Sequence, residues 1–273
     1  MKRNAIITLT AALLFAGCAS TQKTTSFDVL TAELTEAQKT DAAAKYYHLT
    51  PIAPNAELAA AIETQLLPEQ MVSPEDVSSV FDIDAPFING YGVMENGVTY
   101  SAAETVMTGV TPEIFNEYYK WANSYNDQEL IYKIWFPGWH YSQKMENNRL
   151  VVYEDIGQGI EEIHMKGGIQ LDRASFDSRI IEAYMTNSTN ITSEGKEING
   201  ILLHVKYVNA GGYISDRCVA WFGVNLVDGK MQADTANITE PLSRAHCMAQ
   251  HSAGENSNLT AVMLEYHANT SKR

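Results

Sequence analysis

The chain has 273 residues and a mass of 30.2 kDa, enough for one large domain or two modest ones, with 45% apolar, 10% aromatic and 19% charged residues. That balance excludes a disordered or fibrous chain, and a net charge of −14 with a pI near 4.9 excludes a non-specific nucleic-acid binder, because the surface repels phosphates. A polytopic membrane protein is excluded as well, since the one apolar run that approaches spanning length lies at the extreme N-terminus.

Lys2 and Arg3 precede the apolar run Ala5–Ala16, which is shorter than the ~20 residues of a spanning helix and has the form of a signal peptide, residues 1–17. Leu14-Phe15-Ala16-Gly17-Cys18 resembles the lipobox of bacterial lipoproteins, with Phe15 where Leu is usual. The resemblance implies cleavage before Cys18 and lipidation of Cys18. With Ala19 rather than Asp after it, the implied address is the bacterial outer membrane. Two or three acyl chains anchor a protein stably, because each buried methylene contributes about 0.8 kcal/mol. Residues 18–30 then form the lipidated cysteine and a small, polar, aperiodic tether.

Residues 31–110 are expected to form a smaller, mainly helical region with one hairpin. Asn55 caps a helix carrying Leu58, Ala61, Ile62 and Leu66 on one stripe, and Ser73 before Pro74-Glu75-Asp76 marks a second helix start. Asn96-Gly97 between short apolar runs predicts a hairpin over Gly90 to Tyr100. Thr111-Pro112-Glu113 opens a further helix with the stripe Ile114, Phe115, Tyr118, Trp121 and Ala122.

From Glu129 the period shortens to two. Leu130 to Trp135, Leu150 to Glu154, Arg179 to Met185, Ile201 to Val208 and Arg217 to Val227 read as strands. The turns between them are read at Gly167-Gly168, Asn187 to Asn190, Gly211-Gly212 and Asp228-Gly229. Leu259, Val262, Met263 and Tyr266 recur at helical spacing and close the chain with a helix of about 15 residues. The order gives an α+β fold, residues 111–273 forming a curved antiparallel sheet around a C-terminal helix, with a cavity between them.

Chemistry-bearing residues lie at few places. His251 and Glu255, four apart, share one helix face and stand where a metal would bridge them; continuation into Leu259 and Val262 turns that face toward the core. His140 follows the Leu130–Trp135 strand and the break at Pro137. Glu154 ends an apolar strand, either exposed or as an inward ligand, and His204 sits among aliphatic residues in a strand. His48, His164, His246 and His267 read as structural or solvated. Cys218 and Cys247 remain either as a disulfide pair or as small buried hydrophobes.

Five segments, taken in order, resemble the 2,4-diacetylphloroglucinol hydrolase and phloretin hydrolase family. They are Gly90-Tyr91-Gly92 with Asn96-Gly97-Val98 and Tyr100, then Met107 to Glu113, Tyr132-Lys133-x-Trp135-x-Pro137-x-x-His140, Val152-x-Glu154-Asp155-Ile156-Gly157, and His251-x-x-x-Glu255-x-x-Asn258-Leu259. The resemblance covers roughly residues 86–267. It implies a helix-grip, START-like domain and a zinc-dependent hydrolase that cleaves the carbon–carbon bond between a phenolic ring and an acyl group. Carried over by position, the zinc ligands are His140, Glu154, His251 and Glu255. Tyr132 then donates a hydrogen bond to the substrate, and His204 is the proton donor. Gln143 stands where the family has a substrate-binding Asn, and His140 and Glu154 lie closer together than in the family.

The implied chemistry is attack of an activated water on the acyl carbon, an alkoxide stabilised by the ion and Tyr132, and departure of the ring with protonation at carbon by His204. Glu255 or Glu154 alternates between ligand and base. The implied partner is a small acylated polyphenol, and a homodimer is left open. The alternative is a lipid-anchored carrier that holds a small apolar ligand in the same cavity without chemistry.

Overall fold

A computed structural model describes Phe27, residues 30–169, Leu171 and residues 176–271. The expected signal peptide and the lipobox-like segment with Cys18 lie outside the described residues. Eight antiparallel strands form one curved sheet in the order β1-β2-β8-β7-β6-β5-β4-β3. They are β1 Gly90–Val93, β2 Thr99–Met107, β3 His140–Glu146, β4 Arg149–Asp155, β5 Ile160–Ile169, β6 Ile180–Ile191, β7 Glu197–Val208 and β8 Ile214–Phe222. Strands β3 to β8 follow one another as a meander, and the expected Asn96-Gly97 hairpin adds β2 and β1 beyond β8. Residues on both sides of position 110 therefore share one sheet. A small ribbon, β9 Val224–Val227 with β10 Lys230–Ala233, turns at Asp228-Gly229.

The helices are α1 Glu36–Lys39, α2 Ala56–Ala61, α3 Ser78–Phe81, α4 Pro112–Ser124, α5 Gln128–Trp135 and α6 Pro241–Thr270. Asn55 and Thr111 cap α2 and α4 through their side chains, as read from the sequence. The long helix α6 crosses one face of the sheet. Its small residues Ala249 and Ala253 sit against Ala103 of β2, which permits close approach. The opposite face is apolar, with Tyr100, Val219, Trp221, Ile201, Leu203 and Val205. It is covered by the segment carrying Leu66, Met71 and Val80. Arg217 fastens that segment: its guanidinium donates to the carbonyls of Val80, Asp82, Ile83 and Ala85, and Nε donates to Glu104. Among the described residues no helix is long and apolar enough to cross a membrane.

Five readings of the sequence need correction. Leu130 to Trp135 is the helix α5, not a strand; Asp127 caps it at the Leu130 amide, and Lys133 pairs with Glu129 one turn back at 3.0 Å. Its run of branched residues mimics a buried strand because Leu130 to Ile134 are all buried. Asn187 to Asn190 is not a turn but the middle of β6, with Asn190 donating to Glu161 and Thr189 to Asn199. Gly167-Gly168 lies within β5 beside a register shift. Residues 31–81 hold only short helices, and Ser73-Pro74 starts none; the turn at Pro74-Glu75 leads to α3 at Ser78. The closing helix has 30 residues rather than about 15, and Cys218 and Cys247 are both free thiols.

Candidate metal centre

His140 begins β3, directly after the Phe136-Pro137-Gly138-Trp139 turn that ends α5. Its Nδ1 donates to the carbonyl of Tyr132 at 3.0 Å, and the Tyr132 ring stacks on the imidazole with centroids 4.1 Å apart. On α6, His251 donates from Nδ1 to the carbonyl of Asp155 at 3.2 Å. Each imidazole thus spends its Nδ1 proton on a backbone carbonyl, which leaves Nε2 as a lone-pair donor. The two rings lie 5.7 Å apart, with the edge of Phe136 against both.

Glu255, one turn along α6, brings a carboxylate oxygen to 3.8 Å from His251 Nε2. Glu154, cross-strand partner of His140, lies 3.8 Å from His140 Nε2 and 3.5 Å from His251 Nε2. One ligand atom each of His140, His251 and Glu255 fall within 4.8 Å of one another. The four residues separated along the sequence therefore converge, with Glu154 reaching both histidines.

Electrostatics show what this space lacks. Burial pushes the Glu154 carboxyl up to about 7, and burial together with the neighbouring Glu154 charge pushes Glu255 up to about 8. Burial likewise depresses His140 well below its ordinary value and His251 to about 4. Two carboxyls are thus biased toward their protonated forms beside two imidazoles biased toward neutrality, and His140 Nε2 is buried with no hydrogen-bond partner. A divalent cation satisfies all of these at once: it takes the orphaned lone pair and offsets the charge of both carboxylates. The nitrogen and oxygen donor set fits such an ion.

Tyr132, buried on α5, donates its hydroxyl to the Glu154 carboxylate. Burial and the Glu154 charge hold its phenol well above the ordinary value, so it is a proton donor. Gln143 is tied elsewhere, its amide donating to the Gln128 carbonyl at 2.7 Å. His204 projects from β7 between Tyr184, whose ring stacks on it at 4.9 Å, and Asp216, which accepts from Nδ1 at 3.0 Å. His164 pairs with Glu162, His246 with Glu63, His48 with Glu265 and His267 with Glu117, all away from the cluster.

The sequence reading missed Phe136 and Trp139, whose rings wall the imidazoles, and Asp216, which orients His204. Alternation along β8 places Asp216 and Cys218 on one face, but only the register of β7 with β8 brings that face to His204.

The fold and the cluster define an α+β protein with a buried His/Glu site that fits a metal ion. The family model described as the DAPG hydrolase PhiG domain matches residues 75–266, and the chain belongs to that family of hydrolases acting on ketonic carbon–carbon bonds. The match contains every residue of the cluster. No curated protein matches the chain.

Proposed function

We propose that this chain is a zinc-dependent hydrolase that cleaves the bond between an acyl group and a phenolic ring, with an acylphloroglucinol-type compound as substrate. The observation that carries the reading is the convergence of His140 Nε2, His251 Nε2, Glu255 and Glu154, with the first of these buried and unpaired. Two imidazoles and two carboxylates suit zinc, with one carboxylate free to yield its place. The ion supplies Lewis acidity toward a carbonyl oxygen and lowers the pKa of water toward 7.

The chain's own residues supply the rest. Glu255, deprotonated by the bound ion and able to yield its place there, is positioned to take a proton from water. Tyr132 donates from its hydroxyl to the developing negative charge on the acyl oxygen. A ring with 1,3-hydroxyls leaves as a stabilised carbanion, since its keto tautomer makes the substrate a β-dicarbonyl. Burial opposes charge on His204, while Cys218, Tyr184 and Asp216 raise its pKa, so the ring can take up a proton at Nε2 and pass it on. With Nδ1 held by Asp216, the proton available to the ring carbon sits on Nε2.

The polar lining of the helix-facing side, His204, Lys206, Asp216 and Tyr184, supports a reaction chamber over an apolar carrier. In the same reading the sheet and α6 form a helix-grip domain, and lipidated Cys18 tethers it to the outer membrane. The test is elemental analysis of the purified chain with a screen of acylphloroglucinols for release of the free carboxylic acid. One metal ion per chain and acid release are expected, both lost in His251→Ala. Undiminished acid release by a metal-free His251→Ala protein overturns the reading.

A further inference from the structure

A second constellation lies on the helix-facing side of the sheet, and no metal is needed to complete it. Strand register places Tyr184, His204, Cys218 and Ala103 in one row across β6, β7, β8 and β2. Glu182, Lys206, Asp216 and Thr105 form the next row. Within these rows the Cys218 thiol lies 3.6 Å from His204 Nε2, and the other ring nitrogen, Nδ1, lies 3.0 Å from the Asp216 carboxylate. A nucleophile within hydrogen-bond reach of a base, itself oriented by a third group, is the arrangement of cysteine-based acyl transfer. Asp216 is fully buried and fixes the tautomer of His204.

On the far side of the sulfur, Ser252 of α6 lies 3.3 Å away, next to His251 and three residues before Glu255. Positions three apart share a helix face, so the thiol and the metal cluster border one space. At the carboxylate end of this space the side chains of Glu154 and Glu255 are 14% and 13% exposed.

We propose that Cys218, His204 and Asp216 form an acyl-transfer triad that accepts the acyl group of small aryl esters on the Cys218 sulfur, independently of any metal. The thiol proton passes to His204 Nε2. The sulfur then attacks the ester carbonyl, and the bond to the aryl oxygen breaks. The phenol leaves with the proton from His204, and a thioester remains on Cys218. Water, deprotonated by His204, attacks the thioester carbonyl; the carboxylic acid departs and the thiol is regenerated. No oxidant or reductant enters the balance.

The probe is p-nitrophenyl acetate, used with the full chain after metal removal by chelator, so that failure here is distinguishable from failure of the zinc hydrolase reading. Acid quenching and peptide mass mapping locate any acetyl group, with Cys247 and Cys18 as internal comparisons. The expected result is acetylation at Cys218, absent in Cys218→Ala, with release of p-nitrophenol lowered about 100-fold in His204→Gln, the usual worth of a positioned base. Asp216→Asn, a positioning variant, is expected to lower the rate and to shift its pH profile. Circular dichroism and retained metal uptake in Cys218→Ser establish that the fold persists. Acetylation confined to other residues, or a folded Cys218→Ala or His204→Gln protein that turns over the ester at the wild-type rate, overturns the proposal.

Discussion

At the residue scale, the two histidines and two glutamates of the cluster have opposite effects on the stability of the metal-free chain. Glu154 and Glu255 keep protons up to about 7 and about 8, against 4.5 for a free carboxyl, so the folded chain binds more protons than the unfolded one across that interval. Stability linked to them falls as pH rises. His251 is depressed to about 4 from 6.5, and its contribution rises with pH over that lower range. Above about pH 6.5 both histidines are neutral in either state and the carboxyls alone remain. The melting temperature of the chelated protein is therefore expected to fall between pH 6.5 and 8. With metal bound the fall disappears, because ligation requires the carboxylates deprotonated. Thermal scans with and without chelator check this, and a melting temperature that climbs over the same interval in chelated protein contradicts it. The pair His251 and Glu255 was legible because one helix carries both. The contact of Glu154 with both imidazoles needed the β3–β4 register, which no local spacing encodes.

At the element scale, α6 shows why sequence periodicity recovered half of a helix. Its C-terminal half buries Leu259, Val262 and Met263, an apolar stripe visible in the sequence. Its N-terminal half buries Arg244, His251, Ser252 and Asn256 against a polar sheet face, so the inward side looks like the outward one. Gly254 in that half is required by packing. A Cβ there would stand 2.7 Å from Phe136 Cζ, and Phe136 is confined by Trp139, stacked on it at 5.5 Å, and by the edges of both imidazoles. Replacing an interior helical Gly by Ala ordinarily gains about 1 kcal/mol, whereas overpacking a filled core costs about 1–3 kcal/mol. With Phe136 unable to yield, the clash prevails. Gly254→Ala is expected to lower stability by about 1–2 kcal/mol in chemical denaturation and to weaken metal uptake. Helix α5 went unread for a related reason: burial on nearly all sides erases the helical period, and the local signals left are the Asp127 cap and the Glu129–Lys133 pair.

At the scale of the whole molecule, the chain builds a sheet with one apolar and one polar face. It covers the first with its N-terminal segment and the second with α6. The apolar face and the α+β order were legible from alternation in β7 and β8. The strand order was not, since β2 joining β8 depends on pairing between distant segments. The polar face is held to α6 by Arg244, whose guanidinium grips Glu161 of β5 through two hydrogen bonds of 2.8 Å, both side chains being 2% exposed. Removing one partner of such a pair strands a buried charge, so Glu161→Ala is expected to cost about 3–5 kcal/mol in urea unfolding. A loss within experimental error contradicts the role given to that pair. The central claim, that distant segments meet around one divalent ion, is tested most directly by an anomalous difference map of metal-loaded crystals recorded at the zinc edge. A single peak about 2.0–2.2 Å from both His140 Nε2 and His251 Nε2 is the predicted result. A map with no peak there, or with the ion bound elsewhere, contradicts the account.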